Sequence, residues 1–320
     1  MALQADSPAP YSPPSQAESW VWYDGGYRQY KDAHLGLMTH ALHYGTGCFE
    51  GIRAYWNEGQ GQLFCILMED HYRRMLQSAK ILTIEIPYTV DQMCEMTVEV
   101  LRRNGWREDV YIRPLAYKSE EKIGVKLRGI ASSFAIYTSP FGNYVDVDSG
   151  IHCKVSSWRR VDDNAAPARA KVTGIYINSA LSKSEAEDDG YDEAIVLNQD
   201  GHVSEGSAAN IFIVRDGALV TPPASDNILE GITRKALMVL AKEEMGVPTV
   251  ERQIDRSELY VADEAFLCGT GVQVSPILSI DKRQVGDGVA GPITKELQKL
   301  YFDVAKGRVE ERLSWLTPIY

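Results

Sequence analysis

Tyr111 and Arg113 stand two residues apart in a stretch that reads as a strand, so both side chains leave one face and a hydroxyl and a guanidinium converge on one carboxylate. Gly231-Ile232-Thr233 immediately precede a helical run over 234–245, and the free N–H groups and positive end of such a helix make an anion site without special side chains. Thr270, in the turn Gly269-Thr270-Gly271, adds a hydroxyl and a further N–H. The formal net charge is -11, so any anion must be held by local clusters of this kind, working against the field of the whole chain.

Nucleophiles and acids are less sharply marked. A lysine has an ordinary pKa of about 10.4 and becomes nucleophilic only where burial or positive neighbours lower it. Residue type and spacing give Lys171 little preference over Lys154 or Lys183. Glu205 reads as an exposed turn carboxylate. Gly286-Asp287-Gly288-Val289-Ala290-Gly291 has the spacing of a dinucleotide-binding loop. However, the stretch before it, 278–285, contains Asp281, Lys282 and Arg283 and makes a poor buried parallel strand, and too little chain follows for a βαβ unit.

These residues need a scaffold, and the 320-residue chain is long enough for two domains sharing a cleft. The composition, 44% hydrophobic and 24% charged, is that of a globular protein, and its acidity disfavours nucleic acid or anionic membranes as partners. No apolar run reaches the ~18 residues of a membrane span. Five widely spaced cysteines, Cys48, Cys65, Cys94, Cys153 and Cys268, form no C-x-x-C pair and are expected to be small buried residues, with no metal site. Residues 1–19, rich in proline, read as a disordered tail and not a signal peptide, and the expected location is cytoplasmic. Strands are predicted at 20–23, 110–117, 133–137, 194–197, 210–215 and 218–221, and helices at 69–81, 93–103, 176–188, 234–245 and from 293. Residues 139–150 lack periodicity and mark the boundary between a small α/β domain, 20–138, and a larger one, 151–320.

Several segments in order resemble the fold-type IV pyridoxal phosphate enzymes, and within them the branched-chain aminotransferases. They are His40-Ala41-Leu42-His43-Tyr44-Gly45-Thr46 with Phe49-Glu50-Gly51-Ile52-Arg53, Tyr111-Ile112-Arg113-Pro114, Ser204-Glu205-Gly206 with Asn210-Ile211-Phe212, Leu229-Glu230-Gly231-Ile232-Thr233-Arg234, and Gly269-Thr270-Gly271. The likeness runs from about residue 22 to about residue 307. It implies a two-domain α/β (α+β) fold like that of D-amino acid aminotransferase, with a pyridoxal 5'-phosphate cleft between domains.

The same resemblance implies roles. Lys171 is the lysine that bonds to the cofactor aldehyde and then serves as general base. Glu205 faces the pyridine nitrogen and Tyr176 the ring oxygen. Arg74, with Arg73 as its rival, holds the phosphate together with Ile232, Thr233 and Thr270. Tyr44, Phe49, Tyr111, Arg113, Phe141, Tyr144, Gly271 and Val272 receive the substrate. The expected reaction moves the amino group of Leu, Ile or Val to 2-oxoglutarate, in a homodimer or higher homo-oligomer. Ile175, Ala209 and Gln273 depart from the family pattern, which commonly has Asn, Glu and Glu there, and broaden the expected substrate range. The alternatives are a D-amino-acid or (R)-amine transaminase or an aminodeoxychorismate lyase of the same fold, a nicotinamide oxidoreductase, and a catalytically silent binding protein.

Overall fold

The computed structural model describes residues 11–142 and 149–320. Its first sheet is built from β1 (Trp20–Tyr23), β2 (Gly26–Gln29), β3 (Gly47–Phe49), β4 (Ile52–Asn57), β5 (Gln62–Ile66), β6 (Val110–Lys118) and β7 (Ser132–Pro140). Its second holds β8 (Ile151–Arg159), β9 (Glu193–Leu197), β10 (Val203–Gly206), β11 (Asn210–Arg215), β12 (Ala218–Thr221), β13 (Thr249–Glu251), β14 (Glu264–Gly269), β15 (Gln273–Ile280) and β16 (Arg283–Gln284). The last strand, β17 (Leu316–Pro318), returns to pair with β5, so the first sheet runs β17-β5-β4-β6-β7-β1-β2 with β3 also on β6. The helices are α1 (His40–Tyr44), α2 (Met68–Ile81), α3 (Val90–Asn104), α4 (Tyr176–Asp188), α5 (Ile232–Glu243) and α6 (Pro292–Ala305).

Strand β6 shows why the first sheet has a working face. Val110, Ile112, Pro114 and Ala116 are buried while Tyr111, Arg113 and Leu115 are only partly so, the two-residue alternation of a strand with one side on a core. That core joins Ile112 and Ala116 to Met75 of α2 and to Met93, Val100 and Leu101 of α3. Helix α3 is bounded as its sequence requires: Thr89 accepts from the Gln92 N–H, Gln92 answers on the Thr89 N–H, and Gly105 ends it at φ +61°. In the second sheet the antiparallel pair β11 and β12 closes on Asp216-Gly217, both at positive φ, the geometry that suits a two-residue hairpin. Helices α5 and α6 cover one side of that sheet through Leu237, Leu240, Leu297 and Tyr301, while α4 lies along β8 and β9.

Several expectations need correction. The tail is structured from Tyr11 on: the Tyr11 hydroxyl accepts from the Arg107 N–H and Gln16–Glu18 form a 3-10 turn. Its aromatic ring lies against the Arg107 guanidinium, a contact that a proline-rich composition does not reveal. Strand β7 runs to Pro140, two residues into the expected linker, and β17 carries the end of the second domain back to the first sheet, so the division of the chain at residues 139–150 is not clean. Cys94 is half-buried, whereas Cys48, Cys65, Cys153 and Cys268 are buried. Helix α5 begins at Ile232, so Ile232 and Thr233 belong to its first turn.

The Gly286–Gly291 segment is not a dinucleotide loop. Strand β15 turns at Asp281-Lys282 into β16, a hairpin and not a parallel crossover. The start of α6 is filled by the Glu264 carboxylate, which accepts from the Ile293 N–H at 3.0 Å, the Thr294 N–H at 2.7 Å and the Thr294 hydroxyl at 2.6 Å. A second anion there would meet like charge. Glu264→Ala should therefore destabilise the protein by about 2 kcal/mol, seen as a lower denaturant midpoint with an unchanged slope.

Candidate active site

Between the two sheets lies a cavity of about 480 Å³ lined by Lys171, Tyr176, Glu205, Arg74, Tyr111 and Arg113 among others, large enough for a small metabolite. Lys171 sits on no regular element, so its position depends on main-chain pairing with the first domain. The Phe49 N–H donates to the Lys171 carbonyl at 3.1 Å, Val172 bridges Cys48, and the Gly174 N–H donates to the Gly45 carbonyl at 3.2 Å. Gly45 lies at φ +62°, and a Cβ there would collide with Gly174, so this approach requires glycine. The Lys171 N–H donates to the Ser78 hydroxyl at 3.1 Å, and its Nζ donates to the Tyr176 hydroxyl at 2.7 Å, with the Phe49 ring beside it. Tyr176 opens α4, five residues on.

Glu205 is buried, contrary to the exposed-turn reading, because β10 folds against β9 with a register shift between Val203 and Glu205 that re-aims the side chain. Its carboxylate meets Arg160 at 2.7 Å and accepts from Asn210 Nδ2 at 2.9 Å and the Leu229 N–H at 3.2 Å. Burial pushes the carboxyl upward from its ordinary range; Arg160, the Leu229 N–H, Lys171 and Arg74 pull the other way. Arg160 and Asn210 have no role in the sequence reading. Arg160 follows β8 at the end of its Ile151-Cys153-Val155 alternation, and only the fold brings it under Glu205.

No side chain caps α5, so the first-turn N–H groups of Ile232 and Thr233 sit on the cavity wall with the positive end of the helix. Beside them is Arg74 of α2, and not Arg73, which is exposed and paired to Glu69 and Asp70. Arg74 Nε and Nη2 donate to Glu50 at 2.8 and 2.7 Å, and Nη1 donates to the Glu230 carbonyl at 2.8 Å. Glu50 also meets His71 Nδ1 at 2.8 Å. Burial alone would raise the Glu50 carboxyl, but Arg74 and His71 hold it at about 2. Glu50 and His71 are a second pair of supports that the sequence leaves unmarked, although Glu50 falls inside a quoted motif.

On the other side of the cavity, Arg113 Nη2 donates to the Tyr111 hydroxyl at 2.8 Å, with the Phe49 ring 4.3 Å from the guanidinium and Phe141 against Tyr111. Thr270, Gly271 and Val272 close this end from the turn between β14 and β15, and Gly51 leaves room for the Tyr111 hydroxyl where a Cβ would strike it. Ile175 and Ala209 line the cavity, whereas Gln273 does not. Tyr44 stands apart: it lies in α1, and its hydroxyl accepts from the Gly124 N–H at 3.0 Å, so within one chain it forms no wall of the cavity. Tyr144 lies outside the described residues.

A fixed amine, a buried carboxylate, an open helix N-terminus and a hydroxyl–guanidinium pair converge in one cleft between two domains. Residues 47–280 match the family described as amino-transferase class IV. The chain belongs to that family, and its fold is fold type IV. It is 49% identical over 301 residues, 94% of this chain and 97% of the relative, to a probable branched-chain-amino-acid aminotransferase of Aquifex aeolicus (strain VF5). Among solved structures it is similar to the branched-chain aminotransferase of Thermoproteus uzoniensis with norvaline, at 46% identity and TM-score 0.90, over 94% of this chain and 99% of that one. The branched-chain amino acid aminotransferase of Thermobaculum terrenum in its PLP-form (holo-form) is 38% identical, with TM-score 0.91, over 96% of this chain and 100% of that one.

The Glu50 carboxyl falls from its ordinary 4.5 to about 2, so its stabilisation is complete above about pH 4.5 and is lost as pH falls toward 2. Glu50→Gln should flatten that acid limb of stability against pH measured by denaturant titration. An acid limb as steep as that of the wild type would rule out the assignment.

Proposed function

We propose that this chain is a pyridoxal 5'-phosphate-dependent transaminase that moves the amino group of Leu, Ile or Val to 2-oxoglutarate. The observation that carries the reading is the pairing of Lys171 Nζ with the Tyr176 hydroxyl in a cavity that the buried, Arg160-bound Glu205 also lines. The relatives support the same assignment, and one of the similar structures is a PLP-form.

The residues present fit the cofactor. Its phosphate would be held by the Ile232 and Thr233 N–H groups, Thr270 and Arg74, its ring nitrogen by Glu205, its ring oxygen by Tyr176, and its aldehyde carbon by Lys171. When bound, it supplies an aldehyde and an electron-withdrawing ring. This chain's residues do the rest. Tyr176 accepts from Lys171 and so fixes the amine's direction. Lys171 Nζ is the base that would take the proton from the substrate α-carbon and carry it to the cofactor's aldehyde carbon, and carry it back when a 2-oxo acid is the partner. Glu205, paired with Arg160 and bonded by Asn210, would face the ring nitrogen, where a carboxylate favours the protonated ring. Tyr111, Arg113 and the 270–272 turn orient the carboxylate, while Phe49 and Phe141 exclude water around an apolar side chain.

A homodimer in the cytoplasm is part of this reading. Leu37, Leu42, Ile123 and Val125 are exposed around α1, held close by the Thr39–Glu121 bridge and the Tyr44–Gly124 contact, and a second copy seated there would bring Tyr44 into use. No helix of the described residues is long and apolar enough to cross a membrane. The small-molecule partners are amino acids and 2-oxo acids. A second reading, turnover of D-amino acids or (R)-amines, draws support from Ile175 and Ala209, which give the cavity uncharged walls.

The protein reconstituted with pyridoxal 5'-phosphate should show a yellow absorption band that L-leucine bleaches, and Lys171→Ala should lose the covalent linkage and about four or more orders of magnitude of turnover. No band in the wild type would overturn the transaminase. A band bleached only by D-leucine or an (R)-amine would pass the assignment to the second reading.

A further inference from the structure

Arg53 lies outside the cavity lining, yet it is 1% exposed, and its Nη1 and Nη2 are spent on main-chain carbonyls of two separate loops while Nε finds no partner among the described residues. Nη2 donates to the carbonyls of Phe141 at 2.9 Å and Gly142 at 2.8 Å, and Nη1 to those of Gly271 at 3.4 Å and Thr270 at 3.5 Å. The first pair follows β7 of the first sheet; the second is the turn between β14 and β15 of the second. The same guanidinium lies 5.2 Å from the centre of the Phe141 ring and 5.3 Å from that of Tyr55. On the sheet, Arg53 is the direct partner of Tyr111, so the two side chains leave the same face and Phe141 packs between them.

Among the described residues no carboxylate pairs with Arg53, so its charge is met by carbonyl dipoles. That arrangement requires the planar fork of arginine, which presents donors in two directions at once. Next to it, Gln273 stands at φ +57°, buried, with Nε2 3.4 Å from the Tyr55 hydroxyl. This is the position where the resemblance leads one to expect a glutamate. An amide there leaves the guanidinium to the two loops, whereas a carboxylate would compete for it.

We infer that Arg53 is a positioning residue: it ties the Phe141-Gly142 loop to the Thr270-Gly271 turn and thereby sets the width of the substrate-carboxylate end of the cavity. The inference rests on the transaminase reading only in that the substrate carries a carboxylate there. Arg53→Lys keeps the charge but has one ammonium that cannot serve both loops, and Arg53→Gln removes the charge.

The test compares both variants with the wild type in two ways. In the cofactor-free protein, amide hydrogen exchange should quicken around 141–142 and 270–272 and stay unchanged in β4, β6 and α3. In the reconstituted protein, KM for L-leucine and for 2-oxoglutarate should rise about tenfold with kcat within about threefold, since misplacing a binding loop weakens orientation before it alters chemistry. Gln273→Glu should move both readouts in the same direction. Unchanged KM, exchange that quickens throughout the first sheet, or failure of both Arg53 variants to fold would make Arg53 a core residue and overturn the inference. If the wild type did not turn over L-leucine, the functional reading would fail while the exchange measurement still decided Arg53.

Discussion

The main-chain seam between residues 45–49 and 171–174 is the constraint on which the rest of the site depends. Lys171 belongs to no helix or strand, and a long flexible amine without a fixed root cannot be aimed. Hydrogen bonds from Phe49 and Gly174, the bridge between Cys48 and Val172, and the Gly45–Gly174 approach give it that root. The lysine of the second domain is thus registered by the first, alongside Phe49 and the Tyr111–Arg113 strand. Glycine at 45 and 174 follows from the closeness of the two backbones.

An acidic chain has concentrated its useful positive charge in a few buried arginines, each compensated differently. Arg74 faces Glu50 with two parallel hydrogen bonds, a geometry that restores much of what desolvation removes. Arg160 faces Glu205 and offsets part of the upward push that burial gives that carboxyl. Arg53 faces carbonyls. The contrast is one of partners: the paired arginines meet carboxylates on the cavity side, while the carbonyl-bound one joins two loops. Removing one partner of such a pair leaves an isolated buried charge, which is strongly destabilising.

The departures at Ile175, Ala209 and Gln273 fall into two groups in space. Ile175 and Ala209 touch the cavity and change what it can accept; Gln273 lies behind the 270–271 turn and changes how firmly that turn is held. Sequence position alone does not make this distinction, since Gln273 is nearer in the chain to the substrate turn than Ile175 is to anything that binds the substrate.

The sequence by itself determined the elements whose signals are local: most of α3, the hairpin at Asp216-Gly217, helix α4, and the two-residue period that puts Tyr111 and Arg113 on one face. Its ordered motifs also carried the family and, through it, the expected roles of Lys171, Glu205 and Tyr176, while the open start of α5 was legible from the residues themselves. What only the tertiary structure decided are contacts between distant segments: Arg160 with Glu205, Glu50 and His71 behind Arg74, Arg53 across two loops, the carboxylate of Glu264 on α6, and the return of β17 to the first sheet. A single chain states each residue's intrinsic preference, but burial and charge compensation are properties of what folding brings alongside. That is why Glu205 reads as an exposed turn in the sequence and lies buried on an arginine in the fold.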